Sequence, residues 1–561
     1  MLDMKKYGIT PFGAVPSERQ LAHYEMKKAF FHFGVNTFTD AEWGNGTELE
    51  KAFAPTEMNV EQWIEIIKNA GFDLAIITAK HHDGFCLWPS KYTEHSVKNS
   101  PYKDGRGDVI REFTDACRKY GIKAGVYLSP WDRHAPFWGT NQYSDFYAKQ
   151  LTELMTEYGE LYEVWWDGAG SAETPYDWGL WASIIRENQP KACIFGSMGA
   201  TPYVEMRWVG NENGTAGKLH YASVNAHDLE IEERNYLNSG RVGGDRYIPS
   251  ECDVSIRPGW FYHASQDDQV KSVSRLNRLW FESIGRNSIM LLNFPPDRRG
   301  LICDTDAQNA IRSHEHITKM LSKNYLEGAK ITADSALCEA LSAQNLLIDG
   351  EEMFYAAVNK TATVDIVLEK PALFNVFTVS EVLDAGERVT EWKLEAVEGE
   401  NVTLLASATS IGHLRAVRFP EGEYAHLRLT ISGAMETPVL RAIAAYHFVD
   451  ADDEDARAER KNLMLSELSG VEFSADRKTA TLSFGGIYPF NYISFTGRGK
   501  GNYQVSVFNG SRYEPLAEGE LTRGGKTIVK LMTPIEDSYQ IQVYSETSFG
   551  TSNEFEVKLE D

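Results

Sequence analysis

The chain has 561 residues, which is too many for one hydrophobic core, so its length predicts more than one domain. Its formal net charge of −24 excludes nucleic acid and anionic membranes as expected partners, because like charges repel. Hydrophobic residues make up 42% of the chain, so the domains can fold without support from disulfides or metals.

The sequence carries no pattern of membrane insertion or secretion. No run of 18 apolar residues occurs, and the first twenty residues lack the apolar core of a signal peptide. The six cysteines are scattered and form no CxxC pair, which is typical of reduced thiols. We therefore expect a cytoplasmic protein, or a secreted one if a leader peptide has been removed.

The first 325 residues alternate short apolar runs with amphipathic stretches, the pattern of successive strand–helix units. The eight candidate strands are residues 29–38, 72–82, 122–130, 162–169, 192–199, 207–212, 247–256 and 287–296. The candidate helices between them are residues 60–71, 108–121 and 267–285. Eight strands at this spacing predict a closed (β/α)8-like barrel over residues 1–325. A doubly wound sheet is the alternative, but no glycine-rich phosphate loop follows the first strand.

Beyond residue 325 the pattern changes to strand-like runs separated by turn residues. This pattern predicts a β-sandwich over residues 330–448 and a second β-sandwich over residues 465–561. The acidic run at residues 450–460 is expected to be a solvated linker. The second sandwich either binds carbohydrate or supports the barrel, so the chain is predicted to be multidomain, α/β plus all-β.

Polar side chains recur where the predicted barrel strands end, which is where barrel enzymes carry their active residues. These side chains are His32, His81, His82, Asp132, Asp167, Arg207, Glu212 and Glu251, with Trp165 beside them. Their convergence on one end of the barrel predicts an active site there.

Asp167 ends the run EVWWDGAG, so its carboxylate is expected at the barrel mouth beside Trp165 and Trp166. Cleavage of a glycosidic bond needs two carboxyl groups, which stand about 5–5.5 Å apart in retaining enzymes. The alternative is that Asp167 caps the next helix, since Asp is a favoured N-cap residue.

The pair His81-His82 follows an apolar strand, and adjacent residues on a strand point to opposite faces. The chain lacks the HxH or HExxH spacing of a metallohydrolase, so the pair is not expected to bind a metal. Neutral imidazoles suit sugar hydroxyls because each offers one donor and one acceptor. Satisfied core histidines are the alternative.

Glu212 and Glu251 are the two candidates for the general acid/base that protonates the leaving oxygen. Burial would raise the pKa of either carboxyl toward the working pH. Their spacing from Asp167 does not choose between them, and an ordinary structural role is the alternative for each.

Eight motifs carry a resemblance to a known family: FFHFGVNTF, EWGNG, AKHHDGFCLWPS, GVYLSPW, VWWDGA, RWVGNE, DVSIRPGWFYH and LLNFPPDRRG. In this order they resemble the α-L-fucosidases of glycoside hydrolase family 29, in particular the branch that cleaves α-1,3 and α-1,4 fucosyl linkages. The resemblance covers residues 30–300, and TSIGHLRAVRFP at 409–420 extends it to about residue 447. Residues 465–561 show no such motif.

The resemblance implies that Asp167 is the catalytic nucleophile and that Glu212, just after the Arg-Trp motif, is the general acid/base. Glu251 is the second candidate, because some assignments in the family point to the glutamate at its position. The sugar contacts that the resemblance implies are His32, Glu42, Trp43, His81, His82, Trp165 and Arg207, and Trp260 is expected to pack on the C6 methyl group of fucose.

The sequence departs from the family pattern at two places. The third strand ends in Tyr127-Leu128-Ser129 where many relatives have Tyr-Tyr-Ser, so no tyrosine contact is inferred. Ser250 precedes Glu251 where many relatives have Trp. The second departure fits the α-1,3/1,4 branch and weakens Glu251 as the acid.

The sequence therefore predicts a retaining exo-α-L-fucosidase that removes α-1,3/1,4-linked L-fucose from Lewis-type oligosaccharides or glycoconjugates through a covalent fucosyl-enzyme intermediate. No organic cofactor and no metal are expected. The alternatives are a broad-specificity α-L-fucosidase, a non-catalytic glycan-binding protein on the same fold, and a barrel metallohydrolase. The oligomeric state is not predicted.

Overall fold

The protein is represented by a computed structural model that describes most of the chain. The residues that it does not describe are 1, 3, 171–173, 197–199, 230–233, 351, 452–467, 485–489, 498–499, 509–512, 523–524, 536–539, 551–554 and 559–561. The chain forms two compact units, one of residues 1–271 with 276–450 and the other of residues 272–275 with 451–561.

The first unit contains an eight-stranded parallel sheet that closes into a barrel. The strands up to residue 293 are β1 (Lys28–Phe31), β2 (Leu74–Lys80), β3 (Lys123–Leu128), β4 (Glu163–Trp165), β5 (Cys193–Phe195), β6 (Arg207–Trp208), β7 (Ser223–Val224), β8 (Arg246–Tyr247), β9 (Ser250–Ser255) and β10 (Ile289–Asn293). The sheet order is β5-β4-β3-β2-β1-β10-β9-β6, and a parallel bridge between Phe195 and Met206 links its two edges. Strands β7 and β8 form a separate antiparallel hairpin. The predicted (β/α)8-like barrel is confirmed.

Helices cover the outside of the barrel between most strands. They are α1 (Glu18–Tyr24), α2 (Val35–Thr39), α3 (Val60–Asn69), α4 (Val109–Tyr120), α5 (Asn141–Glu157), α6 (Trp178–Asn188), α7 (Ala226–Leu229), α8 (Arg234–Ser239), α9 (Val273–Glu282) and α10 (Asp304–Leu321). Short 3₁₀ segments lie at Met4–Tyr7, Glu50–Ala52, Val97–Asn99, Tyr102–Gly105, Ala264–Gln266, Glu339–Leu341, Ala343–Leu347 and Leu383–Ala385. The β5–β6 connection is shorter than the strand–helix–strand connections elsewhere in the barrel, because only residues 196–206 join the two strands.

The observed strands are shorter than the apolar runs that predicted them. The run at 29–38, for example, leaves the sheet after Phe31, and α2 begins at Val35. The polar residue that follows each strand therefore belongs to a loop, where its side chain is free to turn toward the barrel axis.

Strand β4 illustrates how the barrel sorts its side chains. Val164 and Trp166 are buried in the large apolar core between the strands and the helices, whereas Trp165 packs with the residues inside the barrel. Because side chains alternate along a strand, Glu163 and Asp167 also point inward, below and above Trp165. The barrel interior thus carries ionisable groups at two levels.

An antiparallel sheet follows the barrel within the first unit. Its strands are β11 (Lys330–Ala333), β12 (Tyr355–Ala356), β13 (Ala362–Glu381), β14 (Val389–Glu398), β15 (Asn401–Ala408), β16 (Arg415–Ala434) and β17 (Val439–Tyr446). Their order is β12-β17-β13-β16-β14-β15, with β11 paired to β13. The two twenty-residue strands β13 and β16 shift register near Val367 and Phe374, and the sheet surrounds its own apolar core.

Glu387 joins this sheet to the barrel. Its buried carboxylate accepts hydrogen bonds from the backbone N–H of Ala222 and of Ser223 at 3.0 and 2.9 Å, and from the side chain of Asn287 at 2.6 Å. A buried carboxylate that loses such donors costs free energy, so these bonds favour one fixed arrangement of the two parts.

The second unit contains two antiparallel sheets around an apolar core. Its strands are β18 (Leu468–Phe473), β19 (Thr479–Phe484), β20 (Phe490–Phe495), β21 (Asn502–Phe508), β22 (Tyr513–Glu520), β23 (Thr527–Ile535), β24 (Gln540–Ser545) and β25 (Glu556–Lys558). One sheet has the order β18-β19-β24-β21-β22 and the other β23-β20-β25. The shared core includes Phe490, Ile493 and Val543.

Several sequence predictions bear on the chain as a whole. The predicted linker at 450–460 falls outside the described residues from 452 onward. The domain limits 1–325, 330–448 and 465–561 stay predictions. All six cysteines are free thiols. No helix in the described part of the chain has both the length and the apolar character needed to cross a membrane.

Candidate active site

Asp167 follows β4 at the barrel mouth, and its side chain is 26% exposed. Its Oδ1 accepts the backbone N–H of Ala169 at 2.8 Å, and its Oδ2 accepts the hydroxyl of Tyr127 at 2.9 Å. The Nε2 atom of His82 lies 3.7 Å from the same Oδ2. Both oxygens are therefore held in place while the carboxylate stays accessible.

The helix after Asp167 is capped by a different residue. Asp177 precedes α6, and its Oδ1 accepts the backbone N–H of Leu180 at 2.9 Å. Because Asp177 fills the N-cap position, the capping alternative for Asp167 is wrong.

The hydrogen-bond partners of His82 assign its tautomer. The hydroxyl of Ser129 donates its one hydrogen to the carbonyl of Trp131 at 2.6 Å, so it accepts from Nδ1 of His82 at 2.7 Å. The Nε2 atom is then an unprotonated acceptor facing Asp167. Burial lowers the pKa of His82, and the charge of Asp167 opposes this only in part, which favours the neutral imidazole.

His32 is arranged in the same way. The side-chain amide of Asn293 donates to Ser255 and to the carbonyl of Trp260, so its Oδ1 is the acceptor for Nδ1–H of His32 at 2.9 Å. This leaves Nε2 of His32 as an acceptor as well. Burial lowers the pKa of His32 to about 4, so the ring is neutral at neutral pH.

His81 lies between these two rings. Its ring centroid is 4.1 Å from that of His82 and 5.7 Å from that of His32, and it stacks on Tyr127. Burial lowers the pKa of His81 well below its usual value. Its Nδ1 has no hydrogen-bond partner among the described residues. The three histidines thus offer neutral hydrogen-bonding edges rather than satisfied core positions.

Aromatic rings form the walls around the polar groups. Trp165 stacks on Phe195 at 3.8 Å between ring centroids and on Tyr127 at 5.5 Å. Trp43 is 57% exposed and meets the rings of His82 and Trp131 edge-on. Flat apolar surfaces of this kind suit the hydrophobic faces of a sugar ring.

Trp260 links Glu212 to the histidines. The indole Nε1–H of Trp260 donates to Oε2 of Glu212 at 3.2 Å, and the indole lies 5.0 Å from the ring of His32. Glu212 itself lies in the loop after β6 and is exposed. The carboxyl group of Glu212 is therefore held at the mouth of the barrel on the side formed by β6, β9 and β10.

Glu42 holds the loop that carries Trp260. Its carboxylate accepts the backbone N–H of Trp260 at 2.8 Å and of Phe261 at 3.1 Å, and it pairs with Nε2 of His263 at 2.6 Å. The sugar contact predicted for Glu42 stays a prediction, but both of its oxygens already have partners in the protein.

Arg207 does not belong to this site. Met206 packs inside the barrel, so Arg207, the next residue along the strand, points outward. Its guanidinium donates to the backbone carbonyls of Leu237, Ala222, Ile248 and Tyr221, and the residue is 1% exposed. The predicted sugar contact of Arg207 is therefore wrong, because its N–H donors bind backbone carbonyls on the outer side of the barrel.

Glu251 lies below the site rather than in it. It is fully buried, its Oε1 pairs with the ammonium of Lys28, and its Oε2 accepts the indole N–H of Trp165 at 3.2 Å. Burial, the main cause, raises the pKa of Glu251 to about 7, with the nearby Glu163 acting in the same direction. That value would suit a general acid, but a carboxyl with no exposed surface cannot reach a glycosidic oxygen. As the second candidate for the acid/base, Glu251 is excluded by this position.

The same buried group resembles a metal site in its composition. The ligand atoms of His23, Glu163 and Glu251 lie within 4.8 Å of one another. However, the Lys28 ammonium pairs with both carboxylates and supplies the positive charge that a cation would bring. This arrangement is a buried ionic network beneath the site.

Three residues of the site were missed by the sequence analysis. Tyr127, Ser129 and Asn293 orient Asp167, His82 and His32 respectively, as described above. The strand pattern offered a signal for Tyr127, because it shares the inward face of β3 with Gly125 and ends directly beside β4. Ser129 and Asn293 lie at strand ends, but common polar residues there carry no distinctive pattern.

A parallel barrel whose mouth holds an oriented carboxylate, a second carboxyl, neutral imidazoles and aromatic walls has the features of a glycoside hydrolase. Comparison with known proteins agrees. The sequence profile of the family "Alpha-L-fucosidase" matches residues 9–323. The chain is 39% identical over 454 residues to alpha-L-fucosidase 1 of Arabidopsis thaliana, an alignment that covers 78% of this chain and 88% of the relative.

Two solved structures extend the likeness. A glycoside hydrolase 29 family member from an unknown rumen bacterium is 32% identical with a TM-score of 0.73, covering 98% of this chain and 100% of that one. A Ruminococcus gnavus GH29 fucosidase in complex with fucose is 29% identical with a TM-score of 0.72, covering 78% and 96%. The chain belongs to the α-L-fucosidase family and is a glycoside hydrolase.

Proposed function

We propose that this α-L-fucosidase is a retaining exo-enzyme that releases α-1,3- and α-1,4-linked L-fucose from Lewis-type oligosaccharides. The observation that carries the proposal is the pair of carboxyl groups at the barrel mouth. Asp167 is held there by Ala169 and Tyr127, and Glu212 is held by Trp260. Two carboxyl groups on either side of a bound sugar are what retention requires.

In the first step, a carboxylate oxygen of Asp167 attacks the anomeric carbon of the fucosyl unit. The carboxylic acid of Glu212 gives its proton to the glycosidic oxygen as the bond from that oxygen to the anomeric carbon breaks. The products of the step are the free leaving-group alcohol, a fucosyl ester of Asp167 and the carboxylate of Glu212.

In the second step, a water molecule replaces the leaving group. Glu212, now ionised, takes a proton from this water, and the water oxygen attacks the anomeric carbon from the side that the leaving group left. The ester bond to Asp167 breaks, L-fucose departs with its original anomeric configuration, and both carboxyl groups return to their starting state.

Recognition of the sugar follows from the neutral histidines. The unprotonated Nε2 atoms of His32 and His82 accept hydrogen bonds, so each pairs with a hydroxyl group that donates. A hydroxyl bound to Nε2 of His82 also comes close to Oδ2 of Asp167, which lies 3.7 Å from that nitrogen. Trp260 supplies an apolar surface for the methyl group of fucose.

The linkage preference rests on the position of the acid. In the branch that the sequence resembles, the acid/base follows the Arg-Trp motif, as Glu212 does here. The other candidate for the acid/base, Glu251, has its two carboxylate oxygens bound to Lys28 and Trp165. Ser250 in place of the tryptophan of other relatives points to the same branch.

Replacement of Asp167 tests the mechanism. We expect Asp167→Ala to lower kcat by at least about 10⁴-fold, because the residue that forms the covalent bond is lost. Azide should partly restore turnover of Asp167→Gly and give fucosyl azide of inverted configuration. Asp177→Ala is the control, because it removes a neighbouring aspartate that only caps α6. Activity of Asp167→Ala close to that of the wild type would refute the role.

Parallel hydrolysis of Lewis a, Lewis x and 2′-fucosyllactose tests the linkage preference. We expect rapid release of fucose from the first two and slow release from the third. Faster release from 2′-fucosyllactose than from the Lewis trisaccharides would show that the α-1,3/1,4 assignment is wrong while leaving the fucosidase mechanism intact.

A further inference from the structure

Strand β9 carries three polar side chains on the inward face of the barrel: Glu251, Asp253 and Ser255. Val254, which alternates with them, packs in the outer core between the strands and the helices. Glu251 is the lowest of the three, beneath Trp165, and Ser255 is the uppermost, beside Asn293. Asp253 therefore lies between the floor of the site and its mouth.

Asp253 differs from its two neighbours in its hydrogen bonds. The side chain of Glu251 is engaged by Lys28 and Trp165, and the hydroxyl of Ser255 accepts from Asn293. Asp253 is 4% exposed, yet no donor in the described part of the chain reaches its Oδ1. A buried carboxyl oxygen without a protein partner destabilises a folded protein unless a ligand or a water molecule supplies one.

The carboxyl groups near Asp253 show which part of the barrel its side chain faces. Burial raises the pKa of Asp253 well above its usual value, and the carboxyl groups of Glu212, Glu251 and Asp167 raise it further. Two of these, Glu212 and Asp167, are the proposed catalytic pair. An uncharged carboxylic acid offers one donor and one acceptor, which is what a sugar hydroxyl can match on both sides.

We propose that Asp253 is a further substrate-binding residue, whose buried and unpaired Oδ1 forms a hydrogen bond with a hydroxyl of the fucosyl unit. The proposal rests on the proposed function, since it needs fucose to bind between Asp167 and Glu212. The fucosyl unit is favoured over the leaving group because Asp253 sits inside the barrel on β9, whereas the leaving group extends outward past the exposed Glu212.

Two substitutions at Asp253 can distinguish a role in hydrogen bonding from a role that needs a negative charge. Asparagine has the size of aspartate and keeps one acceptor and donor groups without a charge, whereas leucine fills the volume with no polar atom. We expect Asp253→Asn to bind L-fucose within about threefold of the wild type. We expect Asp253→Leu to bind it about 10- to 100-fold more weakly.

The measurement is calorimetric titration of L-fucose into each purified full-length variant. Unchanged affinity in Asp253→Leu would overturn the inference, as would an equal loss in Asp253→Asn, which would mean that a negative charge is needed. If Asp253→Leu does not fold, as judged by circular dichroism and Tm, Asp253→Ala takes its place with the same expected loss.

Two further measurements distinguish a failure of the proposed function from a failure of the role inferred for Asp253. If the wild type neither binds L-fucose nor hydrolyses a fucoside, the proposed function has failed rather than the role of Asp253. Asp253→Leu should lose kcat/KM equally on 4-nitrophenyl α-L-fucoside and on Lewis a. A loss confined to Lewis a would place the contact on the leaving-group sugar and contradict the assignment to the fucosyl unit.

Discussion

The barrel interior holds two groups of ionisable side chains that differ in exposure and in how their charges are paired. The lower group consists of His23, Lys28, Glu163 and Glu251, and the mouth group consists of His32, His81, His82 and Asp167. In the lower group the ammonium pairs with both carboxylates, and each of these residues is at most 1% exposed. In the mouth group, Asn293 and Ser129 bind the Nδ1 atoms of His32 and His82, which leaves the Nε2 atom of each of these two rings as an acceptor.

An inward-facing charged residue in a barrel is therefore not by itself an active residue. Glu251 and Asp167 both point into the barrel, and both have tryptophans as neighbours in space or sequence. They differ in their partners, since Lys28 neutralises Glu251 whereas Asp167 receives only uncharged donors. Exposure at the barrel mouth and a carboxylate bound by uncharged donors distinguish the site from its support. Unpaired atoms do not, since His23 and Glu163 in the lower group also have buried side-chain atoms without a hydrogen-bond partner among the described residues.

The largest difference in kcat is expected between the alanine variants of Glu212 and Glu251. Glu212→Ala should lower kcat about 10²- to 10⁴-fold on Lewis a, because proton transfer to the leaving oxygen is lost. The loss should be much smaller on an aryl fucoside whose phenol leaves without protonation. Glu251→Ala should show no such dependence on the leaving group, since Glu251 is buried and contacts Trp165 and Lys28. A loss by Glu251→Ala that grows with leaving-group pKa would reverse the two assignments.

Removal of the ion pairs in the lower group should reduce the free energy of unfolding more than it changes the catalytic step. Lys28→Met leaves Glu163 and Glu251 buried without a countercharge, so the free energy of unfolding should fall by about 3–5 kcal/mol. Urea denaturation of the full chain measures this. The exposed pair of Lys91 with Glu157 provides the control, because Lys91→Met should change stability by about 1 kcal/mol at most. Equal effects of the two variants would mean that the buried ion pairs of Lys28 do not stabilise the fold.

Histidine protonation should make stability depend on pH in a defined direction. Burial, together with the charge of Lys28, lowers the pKa of His23 to about 3, and burial lowers that of His32 to about 4. The unfolded chain binds protons at these residues below pH 6.5, whereas the folded protein does not. Stability is therefore complete above pH 6.5 and falls as the pH drops toward 4, by about 1.4 kcal/mol per pH unit for each residue.

Substitution of one histidine at a time tests this dependence. His23→Gln should reduce the slope of unfolding free energy against pH between 6.5 and 4.5 by about one proton, and His32→Gln should do the same. A slope that stays at the wild-type value in His23→Gln would mean that this residue is protonated in the fold.

The smallest effect is expected at the edge of the mouth group. Trp43 is 57% exposed and contacts His82 and Trp131 only edge-on, so Trp43→Ala should raise KM for Lewis a by about tenfold or less with little change in kcat. Trp43→Phe should keep most of the affinity. A large fall in kcat for Trp43→Ala would show that the indole acts on the reacting groups.

The barrel and the reacting carboxylate could be predicted from sequence because their signals are local. Apolar runs marked all eight strands, and the motif around Asp167 marked the end of β4. The sugar contact of Arg207 was implied by the family resemblance of the Arg-Trp motif. The outward orientation of Arg207 follows from the packing of Met206 inside the barrel, which the motif does not reveal. Glu251 was ambiguous because its partner Lys28 lies 223 residues away in sequence. Pairings of this kind depend on tertiary structure and leave no pattern along the chain.

The account depends most on Asp167 forming a bond to the sugar, and trapping that bond tests it directly. The enzyme would be incubated with 2-deoxy-2-fluoro-L-fucosyl fluoride, which slows the hydrolysis of a covalent intermediate, and the digested protein mapped by mass spectrometry. We predict one fluorofucosyl group on the peptide that contains Asp167. A label on any other residue, or turnover that releases fucose of inverted anomeric configuration, would contradict the account.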